Sequence, residues 1–371
     1  MKISAARISR FRLPLAAPLT TAHGVITVRE GVLLELGAEG GLRGFGEAMP
    51  LAGFGLESID EANRALQKIA RVLIGQDVRD LGGALARCSR VAPLAPAARA
   101  AGDAALHDLA ARLRGVPIAQ LLVGDRAPRA RLRISALISA REPVVAAASA
   151  RERIARGYDT LKIKLGADLD RDLARITAVR EAVPRAVRMR LDANGTFDEG
   201  EALRALERCA RFDPEYVEQP IAARDAASWS RMRSRSPVAV AADEAVCDEA
   251  SALALLDRGA VDRLILKPAA LGGLGAAFRI ATRARAFGVG VVVTSFLDSA
   301  IGRTAALHLA AAIDGDDVAV GLATGSLLAR DLADIPDAAR ISLPAGVGLG
   351  IVPDPVALAR CAVGAASAIA A

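Results

Sequence analysis

The sequence predicts an α/β fold in which a closed (β/α) barrel stands behind a smaller α+β unit, and three observations carry that expectation. From about residue 131 onward, short apolar runs alternate regularly with amphipathic stretches, the rhythm of strand followed by helix. Ionisable residues recur near the ends of those runs, and Asp192, Glu218, Asp243 and Lys267 follow one another at intervals of 26, 25 and 24 residues. Such an interval suits one βα unit, because a parallel strand must be followed by a crossover of a dozen or more residues. Before about residue 125, by contrast, strands come in succession and helices follow, as in an α+β unit. A doubly wound open sheet is the structural alternative to the barrel.

In chain order, Ile3 to Leu13 and Gly31 to Gly37 read as strands, Gly40 and Gly41 as a tight turn, and Leu42 to Met49 as a returning third strand. Helices are expected over about 57–74 and 96–113. Eight barrel strands are expected near 131–138, 160–165, 187–193, 215–219, 238–243, 262–267, 289–294 and 318–322, with the site formed by the loops at their C-terminal ends. After about residue 325 the alternation stops. Pro336, Pro344, Pro353 and Pro355 punctuate a tail that can return to the first unit, with a short final helix from about 354. The expected organisation is therefore a first domain over 1–125, a barrel over 126–325 and a returning segment over 326–371. Alanine-rich stretches at 95–113 and 362–371 read as helix formers of small side chain.

Composition narrows the function classes. The chain has 371 residues, 53% of them hydrophobic, which excludes disorder and predicts a substantial core. Its formal charge is +6, yet the arginines are scattered and aromatic residues make up only 3%, so no basic stripe interleaved with stacking side chains points to nucleic acid. Cys88, Cys209, Cys247 and Cys361 form no CxxC pair, so neither a zinc site nor a disulfide framework is suggested. No signal sequence and no run of 18 uncharged apolar residues stands out, so a cytoplasmic protein without a membrane partner is expected. Self-association into a homo-oligomer stays open. A small anionic substrate suits the charge balance.

The recurring charges carry the chemistry. Lys162 and Lys164 sit in Leu-Lys-Ile-Lys-Leu, Asp192 in Arg-Leu-Asp-Ala-Asn, Glu218 in Tyr-Val-Glu-Gln-Pro, Asp243 in Ala-Ala-Asp-Glu-Ala and Lys267 in Leu-Ile-Leu-Lys-Pro. Burying one unpaired ion costs several kcal/mol, so six would exceed the roughly 5–15 kcal/mol that holds a domain folded; they must compensate one another. Strand alternation points Lys162 and Lys164 the same way, and likewise Arg190, Asp192 and Asn194. Asp192, Glu218 and Asp243 then form an all-oxygen set suited to Mg²⁺, and Mn²⁺ meets the same requirement. Lysines on the second and sixth strands face each other across that set. Burial beside another cation and a divalent metal lowers a lysine toward the range of a general base, and the metal stabilises the enediolate left when a proton is taken from beside a carboxylate. A non-catalytic ligand-binding barrel is the alternative of a different class; it would be expected to lose one of these costly charges.

The order Lys-x-Lys, Asp-x-Asn, Glu-Gln-Pro, Asp-Glu and Lys-Pro, behind an α+β cap, resembles the muconate-lactonising branch of the enolase superfamily over essentially the whole chain. That resemblance implies a modified TIM-type (β/α)7β barrel with a cap built from the N-terminal part and the C-terminal tail. It implies Lys164 as base on one face and Lys267 on the other, Mg²⁺ on Asp192, Glu218 and Asp243, and Lys162 and Asn194 in support. The segments Pro50–Glu57, Thr294–Gly302 and Gly321–Leu328 further resemble o-succinylbenzoate synthases, which implies a lyase that removes an α-proton and then water, a step toward menaquinone. Lys267 would then face the delocalised intermediate mainly as a cation.

Racemisation of an N-succinyl or other N-acyl amino acid, or dipeptide epimerisation, is the alternative within the same branch. Dipeptide epimerases usually bring Asp-x-Asp at the eighth strand, where this chain has Gly-Leu-Ala-Thr, which disfavours a cationic dipeptide. Substrate contacts are expected from Asn194, Arg190, Phe54, His23, Ser295 and Thr294, with a structural ion pair as the competing reading of Arg190. His107 and His308 lie in helical patterns and read as core or surface positions. Gly272-Gly-Leu-Gly275 lacks the third glycine of a dinucleotide fingerprint.

Overall fold

The computed structural model describes residues 1–21, 24–222, 226–315 and 317–370. The first unit opens with strands β1 (Ile3–Thr21), β2 (Gly24–Ala38) and β3 (Arg43–Ala48), joined antiparallel in the order β1-β2-β3. Helices α1 (Ile59–Leu73), α2 (Leu81–Val91), α3 (Pro96–Arg114) and α4 (Ile118–Val123) follow. α1 begins at a capping box in which Ser58 and Glu61 satisfy each other's backbone, and it buries Ala62, Leu66, Ile69 and Leu73. α3 starts on Pro96, stops where Gly115 turns left-handed, and is buried along nearly its whole length. Its alanines are thereby explained: a helix packed on several sides admits only small side chains. The sequence reading did not resolve α2 and α4, and it ended β1 too early and began β2 too late.

The barrel is a seven-stranded parallel sheet whose strands lie in chain order: β5 (Ala136–Ile138), β6 (Thr160–Lys164), β7 (Arg188–Asp192), β8 (Tyr216–Glu218), β9 (Val240–Ala242), β10 (Arg263–Leu266) and β11 (Gly290–Val293). A doubly wound sheet would reverse direction partway; this one does not. The eighth position is filled by Val320 and Gly321, which bridge to Ile134 and Thr294 and so close the ring between its two edges. The expected first strand over 131–138 is broken. β4 (Arg131–Arg133) pairs antiparallel with β12 (Arg340–Ser342), and the barrel is joined from Ile134 onward, through its bridge to Val320 and the pairing of β5 with β6. Helices α5 (Pro143–Ala155), α6 (Leu169–Ala182), α7 (Glu199–Cys209), α8 (Ala226–Arg233), α9 (Glu249–Asp257), α10 (Pro268–Leu271), α11 (Leu274–Ala286) and α12 (Ala300–Ala312) form the outer layer.

The tail behaves otherwise than its alanines suggest. Helix α13 (Pro355–Cys361) forms near the expected place, but Ser367–Ala370 is a strand, β13, paired antiparallel with β1. Free donors and acceptors along the edge of the first sheet outweigh the helical preference of alanine there. No helix among the described residues is long and apolar enough to cross a membrane.

Three buried carboxylates tie the first unit to the rest of the chain. Asp108 of α3 accepts from the backbone N–H groups of Phe45 (3.0 Å) and Leu349 (2.8 Å). Glu47 of β3 accepts from the Ser299 backbone N–H at 2.9 Å, and burial, reinforced by Asp298, pushes its carboxyl up to about 8. Asp103 of α3 caps α11 from outside, accepting from the N–H groups of Leu274 (2.7 Å) and Gly275 (3.3 Å). This cap accounts for the glycine run at 272–275. A Cβ on Gly273 would fall 2.3 Å from the Asp103 Cγ, and its φ of +131° is one a side chain rarely tolerates. His107 lies against Asp103, and His308 accepts from the Ala119 N–H and donates to the Leu349 carbonyl, so both histidines are buried and structural. Asp103→Ala should therefore lower stability by about 2 kcal/mol or more, the scale of a lost helix cap combined with a broken buried pair. Urea denaturation measures it; a loss under about 0.5 kcal/mol, the range of an ordinary surface change, would contradict the assignment.

Candidate active site

The six recurring charges meet at the C-terminal mouth of the barrel. Parallel pairing sets Lys164 beside Asp192 and Asp192 beside Glu218, so adjacent strand ends deliver these groups in one row. Asp243 and Lys267 each follow the last residue of their strand, β9 and β10. Asp192, Glu218 and Asp243 are 0%, 1% and 5% exposed, deep enough that their charge needs partners. The lysines supply them. Lys162 donates to Glu218 at 2.7 Å and lies 2.8 Å from Asp192; Lys164 donates to Asp192 at 2.6 Å and to the Asn194 side-chain oxygen at 2.7 Å; Lys267 donates to Asp243 at 2.6 Å.

The electrostatics follow from this cage. Burial works against ionised Asp192, but Lys162 and Lys164 overcome it and hold the carboxyl well below its usual range. Glu218 goes the other way, pushed up to about 8 by burial and by Asp192 beyond what Lys162 relieves. Burial also works against ionised Lys267, yet Asp243, Glu244 and Glu218 prevail and raise it above its ordinary value; Lys162 is raised further, by Asp192 and Glu218. The sequence reading expected burial beside another cation and a divalent metal to lower the lysines. With the carboxylates held by the lysines alone, Lys162 and Lys267 stand above their ordinary value.

Backbone and second-row groups hold the row in place. Asn194 and Gln219 adopt left-handed conformations, φ +45° and +42°, just beyond β7 and β8. The Gln219 side-chain oxygen accepts from the N–H of Asp243 (2.9 Å) and of Ala245 (3.2 Å), fixing the turn that presents Asp243. Asn194 donates to Glu244 at 3.0 Å, and the other Glu244 oxygen is buried without a hydrogen-bond partner. Gln219 was present in the Glu-Gln-Pro motif but its role was not legible, since amide orientation is a tertiary matter.

Above the row lies a cavity of about 470 Å³. Lys162, Lys164 and Lys267 enter it, together with Asp192, Glu218, Asp243, Asn194, Thr294 and Ser295. Phe54 from the first unit meets Phe296 edge to face at 5.5 Å, and the Lys267 ammonium stands 4.5 Å from the Phe296 ring and 5.7 Å from that of Phe54. Phe54 is thus both a wall of the cavity and a contact between the two units. Phe296 escaped the sequence reading, which treated its segment only as a whole. Thr294 donates to the Gly321 carbonyl at 2.9 Å, and the Ser295 hydroxyl pairs with that of Thr324 at 3.3 Å.

Two expected substrate contacts read differently. Arg190 is 1% exposed, bonded to Glu215 at 2.7 Å and to the Ala319 carbonyl at 2.7 Å, and stacked 5.1 Å from the Tyr216 ring. Its guanidinium is committed to a structural pair at the cavity floor, because strand alternation sets it one layer below Asp192. His23 lies outside the described residues.

The donor set fits a hard divalent cation: three buried carboxylates on adjacent strand ends, with one side open to the cavity. Among the described residues no group of three or more His, Cys, Asp or Glu side chains is already arranged to hold a metal ion, and the lysine ammoniums occupy the space between the acids.

Comparison with known proteins agrees with this geometry. Residues 3–123 match the mandelate racemase / muconate lactonizing enzyme N-terminal domain, and residues 145–357 match the enolase C-terminal domain-like family. A hydrophobic dipeptide epimerase of Enterococcus faecalis is 31% identical, over 92% of this chain and 99% of its own. Muconate cycloisomerase 1 of Rhodococcus opacus is 30% identical, over 91% and 92%. Among solved structures, the N-succinyl Arg/Lys racemase of Bacillus cereus superposes over 100% of both chains with a TM-score of 0.93 at 25% identity. A dipeptide epimerase from Enterococcus faecalis, complexed with Mg and the dipeptide L-Leu-L-Tyr, superposes over 94% of this chain and 99% of its own, with a TM-score of 0.88 at 29% identity. A capped barrel with lysines flanking three carboxylates, matched by both domain families along most of its length, makes this chain a member of the enolase superfamily.

Proposed function

We propose that the protein is a racemase or epimerase that inverts the α-carbon of an N-acylated amino acid. The observation that carries this reading is the placement of Lys164 and Lys267: they enter one cavity from the second and sixth barrel strands, at the two ends of the carboxylate row. Inversion needs an acid and a base on opposite faces of one carbon, and two flanking lysines supply that pair. The relatives and structures named above are epimerases, a racemase and a cycloisomerase, which supports an isomerase over the dehydration expected from the loop segments.

Asp192, Glu218 and Asp243 are the residues that would hold Mg²⁺, and when bound the cation supplies positive charge where a substrate carboxylate becomes more negative as its α-proton leaves. The chain's own groups do the rest. One lysine takes the α-proton from its face and the other returns a proton to the opposite face. A lysine acts as base only when neutral, so Lys267, held protonated by Asp243, gains basicity once that carboxylate is engaged elsewhere. Lys162, bridging Asp192 and Glu218, keeps the row neutral from below. Phe54 and Phe296 cover the Lys267 side and exclude water from the reacting carbon.

The eighth strand position argues for an acylated amine. Gly321, Ala323 and Thr324 line the cavity there, and a Cβ at Gly321 would lie 2.6 Å from the Thr294 hydroxyl, so an acidic side chain has no room beside it. No carboxylate beyond the row of three lines the described cavity to receive a free ammonium.

Offered Mg²⁺ in D₂O together with N-acetyl and N-succinyl amino acids, free dipeptides and the cyclohexadiene precursor of o-succinylbenzoate, the protein should exchange the α-proton of the N-acyl amino acids and interconvert their enantiomers. Turnover of the cyclohexadiene alone, or of free dipeptides alone, would reject the reading. Removing divalent cations with a chelator should abolish the exchange, and Mg²⁺ or Mn²⁺ should restore it. Exchange indifferent to chelator would contradict the metal assignment.

A further inference from the structure

The cavity contains one cation that the proposed chemistry does not use. Arg141 sits in the loop after β5, at the C-terminal end of the first barrel strand, exposed and lining the cavity beside Ser139 and Leu137. It makes no hydrogen bond or ion pair with any described residue, whereas its neighbour Glu142 is bonded to Arg171. The other guanidiniums of the cavity are committed. Arg190 is held by Glu215, and Arg175 by Asp172 at 2.6 Å and by the Lys164 carbonyl. Arg175 is lowered from its ordinary value by burial first, against the pull of Asp172, and then by the adjacent charges of Arg141 and Arg171.

Charge balance sharpens the point. Of the cationic side chains that line the described cavity, Arg175 and Arg190 are already paired with Asp172 and Glu215, which leaves Arg141 and three lysines against three carboxylates, and a divalent cation adds to the excess. A substrate with a single carboxylate leaves that surplus uncompensated in a partly enclosed site, where a second anion is worth most. The same cavity also has apolar walls, among them Leu19, Ile26, Leu51 and Leu137, which suit a short methylene arm leading from the α-carbon to a charged end.

Resting on the N-acyl amino acid reading, we infer that Arg141 is a specificity-determining residue: it captures a second carboxylate of the substrate, at the mouth of the barrel and away from the reacting carbon. That carboxylate sits either at the end of a dicarboxylic acyl arm or at the end of the amino acid side chain. The guanidinium fork pairs with it in the same way in both cases.

Matched pairs that differ only by charge separate the cases: N-succinyl-leucine against N-succinamoyl-leucine, and N-acetyl-glutamate against N-acetyl-glutamine, each followed by α-proton exchange in D₂O with kcat and KM resolved. The wild type should favour the carboxylate over its amide in one pair by about tenfold or more in kcat/KM, carried mainly by KM, the scale of one charge-assisted hydrogen bond. The pair that shows the preference identifies which end carries the anion. Arg141→Ala should collapse the ratio toward one, and Arg141→Lys should restore part of it. Exchange of all four compounds without a charge preference would overturn this inference while leaving the racemase reading intact, as would a preference that survives in Arg141→Ala. Exchange of none of them would remove both together.

Discussion

Carboxylates buried at the mouth of a barrel are unstable neighbours, and here three of them are kept in place by three ammoniums. Asp192 bonds to two lysines, Glu218 to one and Asp243 to another, so the row of strand ends from β6 to β10 is a chain of alternating partners. Removing one acid would strand a buried cation, and removing one lysine would strand a buried anion, each costing about 3–5 kcal/mol by the usual scale of broken buried pairs. The same three carboxylates are the donors that would hold a divalent cation. Fold and chemistry thus rest on a single electrostatic arrangement.

Much of that arrangement could be read from the amino-acid order, for a physical reason. A charged residue at the end of an apolar run is a signal in itself, and its repetition at βα intervals in Asp192, Glu218, Asp243 and Lys267 leaves few other architectures. The sheet then places these residues in strand order without further information. What escaped depends on contacts between distant segments. The kink that divides β4 from β5 answers to β12 some two hundred residues away, and β13 forms because β1 offers a free edge, against the preference of its alanines.

Within the site the same division holds. Lysines and acids were legible, but which lysine pairs with which acid was not, because it depends on the arrangement of neighbouring strand ends. Gln219 orients Asp243 through a side-chain amide, Phe296 closes on Phe54 across the two units, and Arg141 stands out because the cavity's other guanidiniums, Arg175 and Arg190, are each held by a carboxylate. Arg190 shows the converse: a charge in the right strand at the right spacing, spent on Glu215 one layer below the reaction. The Asp103 cap likewise makes the glycine run at 272–275 a seam between the first unit and the barrel.

The central claim is that Lys164 and Lys267 serve opposite faces of one carbon, and wash-out of the α-proton from each separate enantiomer in Lys164→Ala and Lys267→Ala tests it most directly. Each variant should lose racemisation yet still exchange the proton of the enantiomer facing its remaining lysine, so the two variants exchange opposite enantiomers. If both exchange the same enantiomer, or if either still racemises, the lysines do not divide the two faces between them and the account is wrong.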